Sequence, residues 1–196
     1  MAEYVELEPR TPRVGLAVVL PGRAYTPARP LLDFATQACL EAGWHVRQLW
    51  WRIPDGHPAG SPDGDPAAKV AWVRAELDTA LTGAAGRVLV VGKSLGCFAA
   101  PYAAEHSLEA VWLTPVLTEP RVADGVQAND ARQLLVGGTQ DPYWRPDLPL
   151  PSRSESLTVA GADHSLTHLD GVRATVQAHL DVMTRLRDWL NTAGDS

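Results

Sequence analysis

The stretch that decides the fold is "LVVGKSLGCF", residues 89–98, because it fits two motifs that imply different chemistries. Its Gly-Lys-Ser could end a phosphate-binding loop of the form G-x-x-x-x-G-K-[ST]. Residues 92–96 also fit G-x-S-x-G, in which a sharp turn between a strand and a helix exposes the serine as a nucleophile. The residues that precede Gly92 decide between the two motifs.

These preceding residues exclude the phosphate-binding loop. That loop needs its first glycine at position 87, where this chain has Arg87. Residues 88–91, VLVV, form a β-branched, apolar run that is typical of a buried parallel strand, whereas the loop must wrap its amides around phosphate oxygens. We therefore interpret residues 92–96 as a strand-turn-helix with Ser94 at the turn, and residues 97–100, CFAA, as the start of a helix.

The bulk composition is that of an ordinary globular protein. The chain has 196 residues, of which 45% are hydrophobic and 20% charged, and this predicts one domain with a substantial core. The net charge is −6 with both signs interspersed, which argues against nucleic acid or an anionic membrane as a partner. We expect a polar leader at 1–12, a single domain at 13–192 and a tail at 193–196.

The N-terminal residues and the two cysteines favour a soluble, cytoplasmic protein. Residues 1–13, MAEYVELEPRTPR, lack the apolar segment of a secretion signal, and no apolar run is long enough to span a bilayer. Cys39 and Cys97 lie far apart on apolar helical faces, without metal-ligand neighbours. They are expected to be reduced core residues, and no metal site is expected.

Apolar runs and amphipathic segments alternate along the chain. The expected strands are a first one ending at Pro21-Gly22, followed by 44–51, 87–92, 110–117, 132–138 and 156–161. The expected helices lie within 30–43, at about 66–82, from the turn to about 105, and at about 169–191, the last with a stripe of Val172, Val176, Leu180, Met183, Leu186 and Leu190. This alternation predicts an α/β fold, a mostly parallel sheet of about six strands with helices on both faces.

A nucleophilic serine needs a histidine to take its proton and a carboxylate to orient that histidine. With a G-x-S-x-G turn, these partners follow in the order acid, then histidine. Asp141 lies just after the strand 132–138, in GGTQDPYW, and His164 lies just after the strand 156–161, in AGADHSLTHLD. Both the order and the position at strand ends fit, since parallel sheets carry their sites at the carboxyl ends of the strands.

Each of these two positions has competitors. Asp141 precedes a proline and could be a simple turn former. Asp130 precedes its strand and Asp163 adjoins the histidine, so neither is well placed to orient it. His168 is the rival base, but a final helix that begins just before it would turn it into the first helical turn. The spacing of His164 and His168 also fits an H-x-x-x-H metal pattern, which we interpret as coincidence.

Together these features resemble the α/β-hydrolase family over residues 13–191. In its size and in the Gly-Lys-Ser-x-Gly form of the turn, the chain is similar to the compact bacterial members without a cap, including the dienelactone-hydrolase-like group. Enzymes of the dienelactone type generally use a cysteine where this chain has Ser94, which argues against that activity. The crossover at 118–131 has room only for a turn and a short helix, whereas larger members insert a lid there.

The resemblance implies a triad of Ser94 as nucleophile, His164 as base and Asp141 as acid. It implies a serine hydrolase that acts on small carboxylic esters or related acyl compounds through an acyl-enzyme, with a small-molecule acyl substrate and no cofactor. Thioesterase, amidase, lactonase and acyltransferase activities use the same groups. The alternative is a non-catalytic small-molecule-binding protein on the same fold, because fold does not dictate function.

The resemblance also implies an oxyanion hole made of two backbone amides. One is the amide of Leu95, the residue after the nucleophile. The other lies in LPGRAYTPARP, residues 20–30, after the first strand. Many members have His-Gly in this loop, where this chain has Pro-Gly. We therefore expect the amide of Arg23 to be the second donor, with that of Ala24 as the alternative.

Three further side chains are candidates for the site. Tyr25, in the oxyanion loop, and Trp144, three residues after Asp141, are the aromatic residues expected to line a substrate pocket. Lys93 is the variable residue of the turn. We interpret it as a long side chain that extends from the end of a buried strand toward water, with a catalytic lysine as the alternative.

Overall fold

A computed structural model describes residues 3–61 and 63–192, which form one seven-stranded sheet with helices on both faces. The strands are β1 (Tyr4–Leu7), β2 (Gly15–Leu20), β3 (Trp44–Leu49), β4 (Val88–Lys93), β5 (Glu109–Leu113), β6 (Gln133–Gly138) and β7 (Ser154–Val159). The helices are α1 (Pro30–Glu41), α2 (Pro66–Ala80), α3 (Ala100–Glu105), α4 (Pro120–Ala128) and α5 (Val172–Asn191), with 3-10 turns at Pro58–Gly60 and Ser94–Ala99.

The sheet has the strand order β1-β3-β2-β4-β5-β6-β7, and every neighbouring pair is parallel except β1 and β3. This confirms the predicted mostly parallel sheet. Because both faces are covered, β2 and β6 are buried along their whole length, which explains their continuous apolar sequences. One face packs against α2, α3 and α4, and the other against α1 and α5.

The seventh strand lies in the segment that the sequence assigns to a polar leader, residues 1–12. Strand β1 pairs antiparallel with β3, so that Tyr4 lies opposite Leu49. It has only four residues and forms an edge of the sheet, where its side chains are half-buried or exposed. A short edge strand therefore lacks the apolar pattern by which the other six strands were expected. The tail proposed at 193–196 lies outside the described residues.

The connection from β5 to β6, residues 114–132, is described throughout and carries α4. This nine-residue helix packs against α3 with Val122 and Val126 buried. Its Glu119 caps the first turn by accepting a hydrogen bond from the Arg121 amide. The connection therefore follows the surface of the sheet as a short crossover, which leaves the carboxyl ends of β4, β6 and β7 accessible.

Helix α5 differs from the prediction in the face that it buries. The expected stripe is correct for Leu186 and Leu190, but Val172, Val176 and Leu180 are 80%, 60% and 57% exposed. The residues buried instead in this half of the helix are Ala178, His179 and Val182. Apolar residues at i, i+4 spacing fit a core-facing helix and an exposed apolar face equally well.

No helix in the described part of the chain has the length and apolarity needed to cross a membrane.

Candidate active site

Three polar side chains meet beyond the carboxyl ends of β4, β6 and β7. Ser94 Oγ lies 2.8 Å from His164 Nε2, and His164 Nδ1 lies 2.8 Å from Asp141 Oδ2. Ser94 follows β4, Asp141 follows β6 and His164 follows β7. The fold thus brings together the three residues that were singled out from their order along the chain.

The backbone of Ser94 is in the left-handed region, with φ = 52°. This conformation costs a residue with a Cβ about 1–2 kcal/mol. Strand β4 ends directly before it, and the 3-10 turn begins with it. A Cβ on Gly92 would lie 2.8 Å from the Gly96 carbonyl oxygen, and one on Gly96 would lie 2.3 Å from that of Leu20. The glycines of G-x-S-x-G are therefore steric requirements of the turn that exposes Ser94 Oγ.

Asp141 is fixed by its own turn. Its side chain is completely buried, and its Oδ1 accepts a hydrogen bond of 2.9 Å from the Tyr143 amide. Its amide in turn donates to the Gly138 carbonyl oxygen at 3.1 Å. The remaining carboxylate oxygen faces His164 Nδ1, and this contact favours the tautomer with the proton on Nδ1. In that tautomer, His164 Nε2 can accept the proton of Ser94.

The loop between β7 and α5 holds His164. Asp163 shapes this loop, because its Oδ1 accepts hydrogen bonds from the amides of Ser165 and Thr167 at 2.8 and 2.9 Å. The His164 ring packs edge-on against Tyr143, with 4.9 Å between the ring centroids. A quarter of the His164 side chain is exposed, so the ring is held firmly and still reaches the surface of the site.

The competing residues take up other positions. Asp163 orders the histidine loop as described, and Asp130 is exposed ahead of β6. His168 lies before the first residue of α5 rather than in its first turn, and its backbone bridges to Ala162. Its Nδ1 accepts a hydrogen bond of 3.1 Å from the Asp170 amide. None of the three contributes to the hydrogen bonds around Ser94.

Ser94 and His164 open onto a cleft of about 180 Å³. The other residues that line it are Arg23, Ala59, Ser61, Lys69, Leu95, Phe98, Val116 and Tyr143. Ala59 and Ser61 come from the Pro- and Gly-rich segment 54–66, which lies between β3 and α2. Phe98 lies four residues after Ser94 in the helical segment that the sequence predicts after the turn, and this proximity is the signal that could have identified it.

The two aromatic residues expected in the pocket, Tyr25 and Trp144, lie outside this cleft. The Tyr25 hydroxyl accepts a hydrogen bond of 3.1 Å from the Leu31 amide, and the residue lines a neighbouring cavity of about 520 Å³. Trp144 is buried, and its Nε1 donates to Thr158 Oγ1 at 3.1 Å. Tyr143, its neighbour along the chain, lines the cleft instead. Successive residues of a turn point in different directions, so composition alone could not distinguish these two.

The loop after β2 brings a tight turn to the cleft. The two ends of the turn 22–25 exchange backbone hydrogen bonds of 3.1 and 3.5 Å, which makes Arg23 and Ala24 its central residues. Arg23 lines the cleft and Ala24 does not. Leu95 lies in the first turn of the 3-10 segment, where amides have no partner within the helix. The amides of Arg23 and Leu95 stay the expected oxyanion donors.

Lys93 lies inside the site, although the sequence favours an extended, solvated side chain. It is 3% exposed, and its Nζ donates to the His164 carbonyl oxygen at 3.0 Å. The same Nζ lies 4.9 Å from the centroid of the Tyr25 ring. Burial lowers the pKa of Lys93 to about 8, and nearby acidic groups, among them Asp141 and Asp163, offset part of this effect. Lys93 thus joins the turn of the nucleophile to the loop of the histidine.

Replacing Lys93 with methionine is expected to alter how stability depends on pH. The pKa of Lys93 is about 8 in the folded protein and 10.5 as its ordinary value, so the unfolded chain binds the proton more tightly. The free energy of unfolding of the wild type should therefore gain about 3 kcal/mol from this group as the pH rises from about 8 to above 10. Urea unfolding of both proteins at pH 7 and pH 10 measures this gain, which Lys93→Met should lack. Equal pH dependence in both proteins would contradict the burial of a charged Lys93.

The described residues contain no cluster of metal-ligating side chains, and both cysteines are buried free thiols. Within 3–61 and 63–192, no group of three or more His, Cys, Asp or Glu side chains is placed to hold a metal ion. Cys39 and Cys97 are buried free thiols, as expected from the sequence. Burial raises the pKa of Cys39 to about 12 and also raises that of Cys97, which keeps both as neutral thiols.

The sequence matches no protein-family profile and no curated protein. Its structure is similar to that of an alpha-beta serine hydrolase homologue from Coxiella burnetii, with a TM-score of 0.72, 14% identity, and 95% of this chain and 90% of that chain covered. It is also similar to Est1E from Butyrivibrio proteoclasticus, solved with ferulic acid bound (TM-score 0.69, 14% identity, 97% and 94% covered). A Xanthomonas campestris serine hydrolase described as lacking a lid gives a TM-score of 0.67 at 17% identity, with 100% and 90% covered. The chain therefore has the α/β-hydrolase fold in its form without a cap, and the described connection from β5 to β6 is filled by α4 alone.

Proposed function

We propose that the protein is a serine hydrolase that cleaves small carboxylic esters, or related acyl compounds, through an acyl-enzyme. The observation that carries this proposal is the unbroken chain of hydrogen bonds from Ser94 Oγ through His164 to Asp141, with 2.8 Å at each step. The left-handed backbone of Ser94 supports it further, since strain of this kind collects at functional sites.

In the first half of the reaction, Ser94 Oγ attacks the carbonyl carbon of the ester. Its proton passes to His164 Nε2, and the buried carboxylate of Asp141 stabilises the imidazolium. The carbonyl oxygen becomes an oxyanion, for which the amides of Leu95 and Arg23 are the proposed donors. When the tetrahedral intermediate collapses, the ester C–O bond breaks and the alcohol takes the proton from His164.

In the second half, water attacks the acyl-enzyme. His164 accepts a proton from the water, and the same two amides stabilise the second oxyanion. The bond between the acyl carbon and Ser94 Oγ then breaks, His164 returns its proton to Oγ, and the carboxylic acid leaves. Every step uses side chains and backbone amides of the protein, the substrate and water.

The dimensions of the cleft support small acyl groups as the substrate class. Its volume of about 180 Å³ is below the roughly 300–1,000 Å³ of pockets for drug-sized ligands. Leu95, Phe98, Val116 and Tyr143 give it apolar walls that suit a short hydrocarbon chain. We also propose the cytoplasm as its location, because buried free cysteines are typical of proteins in reducing compartments.

Labelling with a fluorophosphonate probe tests this proposal without assuming a substrate. The probe reacts covalently with an activated serine, so wild-type protein should be labelled and Ser94→Ala should not. Ser156→Ala, which changes an exposed serine on β7, is the matched control and should label like the wild type. Folded wild-type protein that takes up no label would contradict the proposal and favour a non-catalytic small-molecule-binding protein.

A further inference from the structure

Helix α5 carries an apolar stripe that faces solvent. Val172, Val176 and Leu180 follow one another at i, i+4 spacing and are 80%, 60% and 57% exposed. Leu169, in the turn before the helix, is 87% exposed as well. Val172, Val176 and Leu180 are called the α5 stripe. Because i, i+4 residues share one face of a helix, they form a continuous apolar band rather than scattered exposed side chains.

A groove of about 600 Å³ runs between the α5 stripe and helix α1. Phe34 of α1, 42% exposed, stands at its wall and contacts the ring of His179 edge-on, with 6.4 Å between centroids. The other apolar residues of its lining include Ala38, Val176, Leu180 and Met183. A contiguous exposed apolar patch of this kind marks an interaction site, whereas single exposed apolar residues are ordinary.

The polar residues beside the α5 stripe have a self-complementary order. Arg173, Gln177 and Asp181 are exposed and each follows a stripe residue by one position. Gln177 Nε2 donates to Asp181 Oδ1 at 2.8 Å, so this flank forms an ordered row. The row therefore carries a positive charge at one end, an amide in the middle and a negative charge at the other end.

We infer that the α5 stripe and its groove form an interface between two copies of this chain. Two α5 helices would pack antiparallel about a two-fold axis that passes between Val176 and Gln177. In such an arrangement, the flank with Arg173, Gln177 and Asp181 on one helix lies against the same flank of the other helix. Arg173 of each copy therefore faces Asp181 of the other copy, which gives two equivalent contacts. The α5 stripe then packs in layers, with Val176 against its own equivalent and Val172 against Leu180.

The size of this face is consistent with a dimer. The 20 residues of α5 span about 30 Å, and two packed helices are about 20 Å wide, which gives a face on the order of 600 Å². Standard interfaces bury about 800 Å² per partner, and side chains add area beyond this flat projection. The mixed charges of Arg173 and Asp181 fit a second copy better than a membrane, since helices that lie on anionic lipid carry predominantly Lys and Arg on the polar face.

Sedimentation velocity of the full chain tests the interface. The wild type is expected to be a dimer at micromolar concentration, and Val176→Asp a monomer, because two carboxylates would be buried against each other at the two-fold axis. Val5→Asp, which changes an exposed valine on β1 (46% exposed), is the matched control and should stay dimeric. Circular dichroism confirms that each variant is folded. A wild type that stays monomeric, or a dimer that Val176→Asp leaves intact, would overturn the inference.

A charge swap tests the antiparallel arrangement itself. Arg173→Asp places like charges opposite each other and should raise the dimer dissociation constant about tenfold or more. Adding Asp181→Arg restores both opposite-charge contacts, so the double variant should dimerise nearly as well as the wild type. A double variant no tighter than Arg173→Asp would exclude this arrangement. A monomeric wild type that binds vesicles of anionic lipid would instead assign the face to a membrane, which also overturns the inference.

Discussion

Replacing Ser94 with alanine is expected to lower kcat/KM for a short-chain p-nitrophenyl ester by a factor on the order of 10⁶. The loss is large because alanine has no oxygen to form the acyl-enzyme, and the proposed oxyanion donors and the cleft can then assist only direct attack by water. Single-turnover and steady-state assays measure this effect, and the acyl-enzyme burst should vanish with it. The φ of 52° at this position is also unfavourable for alanine, so the variant should not gain stability from the smaller side chain.

The exposed Ser156 on β7 gives the control for this change, since Ser156→Ala removes a hydroxyl that does not line the cleft and should keep full activity. Thermal unfolding of both variants separates a loss of chemistry from a loss of fold. Activity of Ser94→Ala within about tenfold of the wild type would show that another group is the nucleophile.

Asp141→Asn is expected to lower kcat by about 10⁴ while leaving the fold intact. The asparagine Oδ1 can still accept the hydrogen bond from the Tyr143 amide, so its NH₂ group must face His164 Nδ1. An NH₂ group donates only, which forces the proton of His164 onto Nε2. The ring then cannot accept the proton of Ser94, and the nucleophile is not activated.

Measurement of kcat at neutral pH for Asp141→Asn beside Asp147→Asn tests this reasoning. Asp147 is exposed and pairs with Arg145 outside the cleft, so its variant should be nearly as active as the wild type. If Asp141→Asn kept more than about a tenth of the wild-type kcat, then Asp141 would not orient the base, and a different acid would have to be sought.

The inner strands and the turn at Ser94 could be predicted from the sequence because local patterns decide them. Continuous apolar runs occur where both faces of a parallel strand are covered, as in β2, β4 and β6. The positions of Asp141 and His164 follow from related logic, since each lies in the loop directly after a strand that the sequence predicts. The carboxyl ends of parallel strands lie on the same side of the sheet, so residues distant in sequence are brought together there.

Features that depend on contacts between residues distant in sequence could not be predicted from local patterns. Lys93 is buried because Tyr25 and the His164 loop cover it, and both lie about seventy positions away along the chain. A local pattern cannot show such cover, so a long charged side chain is expected in water. The edge strand β1 was missed because half of its surroundings are solvent, and the α5 stripe because an apolar row does not reveal what covers it.

In the proposed mechanism, the short connection between β5 and β6 affects which acceptors can reach the acyl group on Ser94. The connection carries α4 (Pro120–Ala128) as its only helix or strand in the described residues, and the cleft at Ser94 is open to solvent in the structure. An acyltransferase must keep water, present at tens of molar, away from its intermediate until the acceptor arrives. A site open to solvent cannot impose that order. The proposed acyl-enzyme should therefore partition by acceptor concentration, and we expect water, the most concentrated acceptor, to prevail.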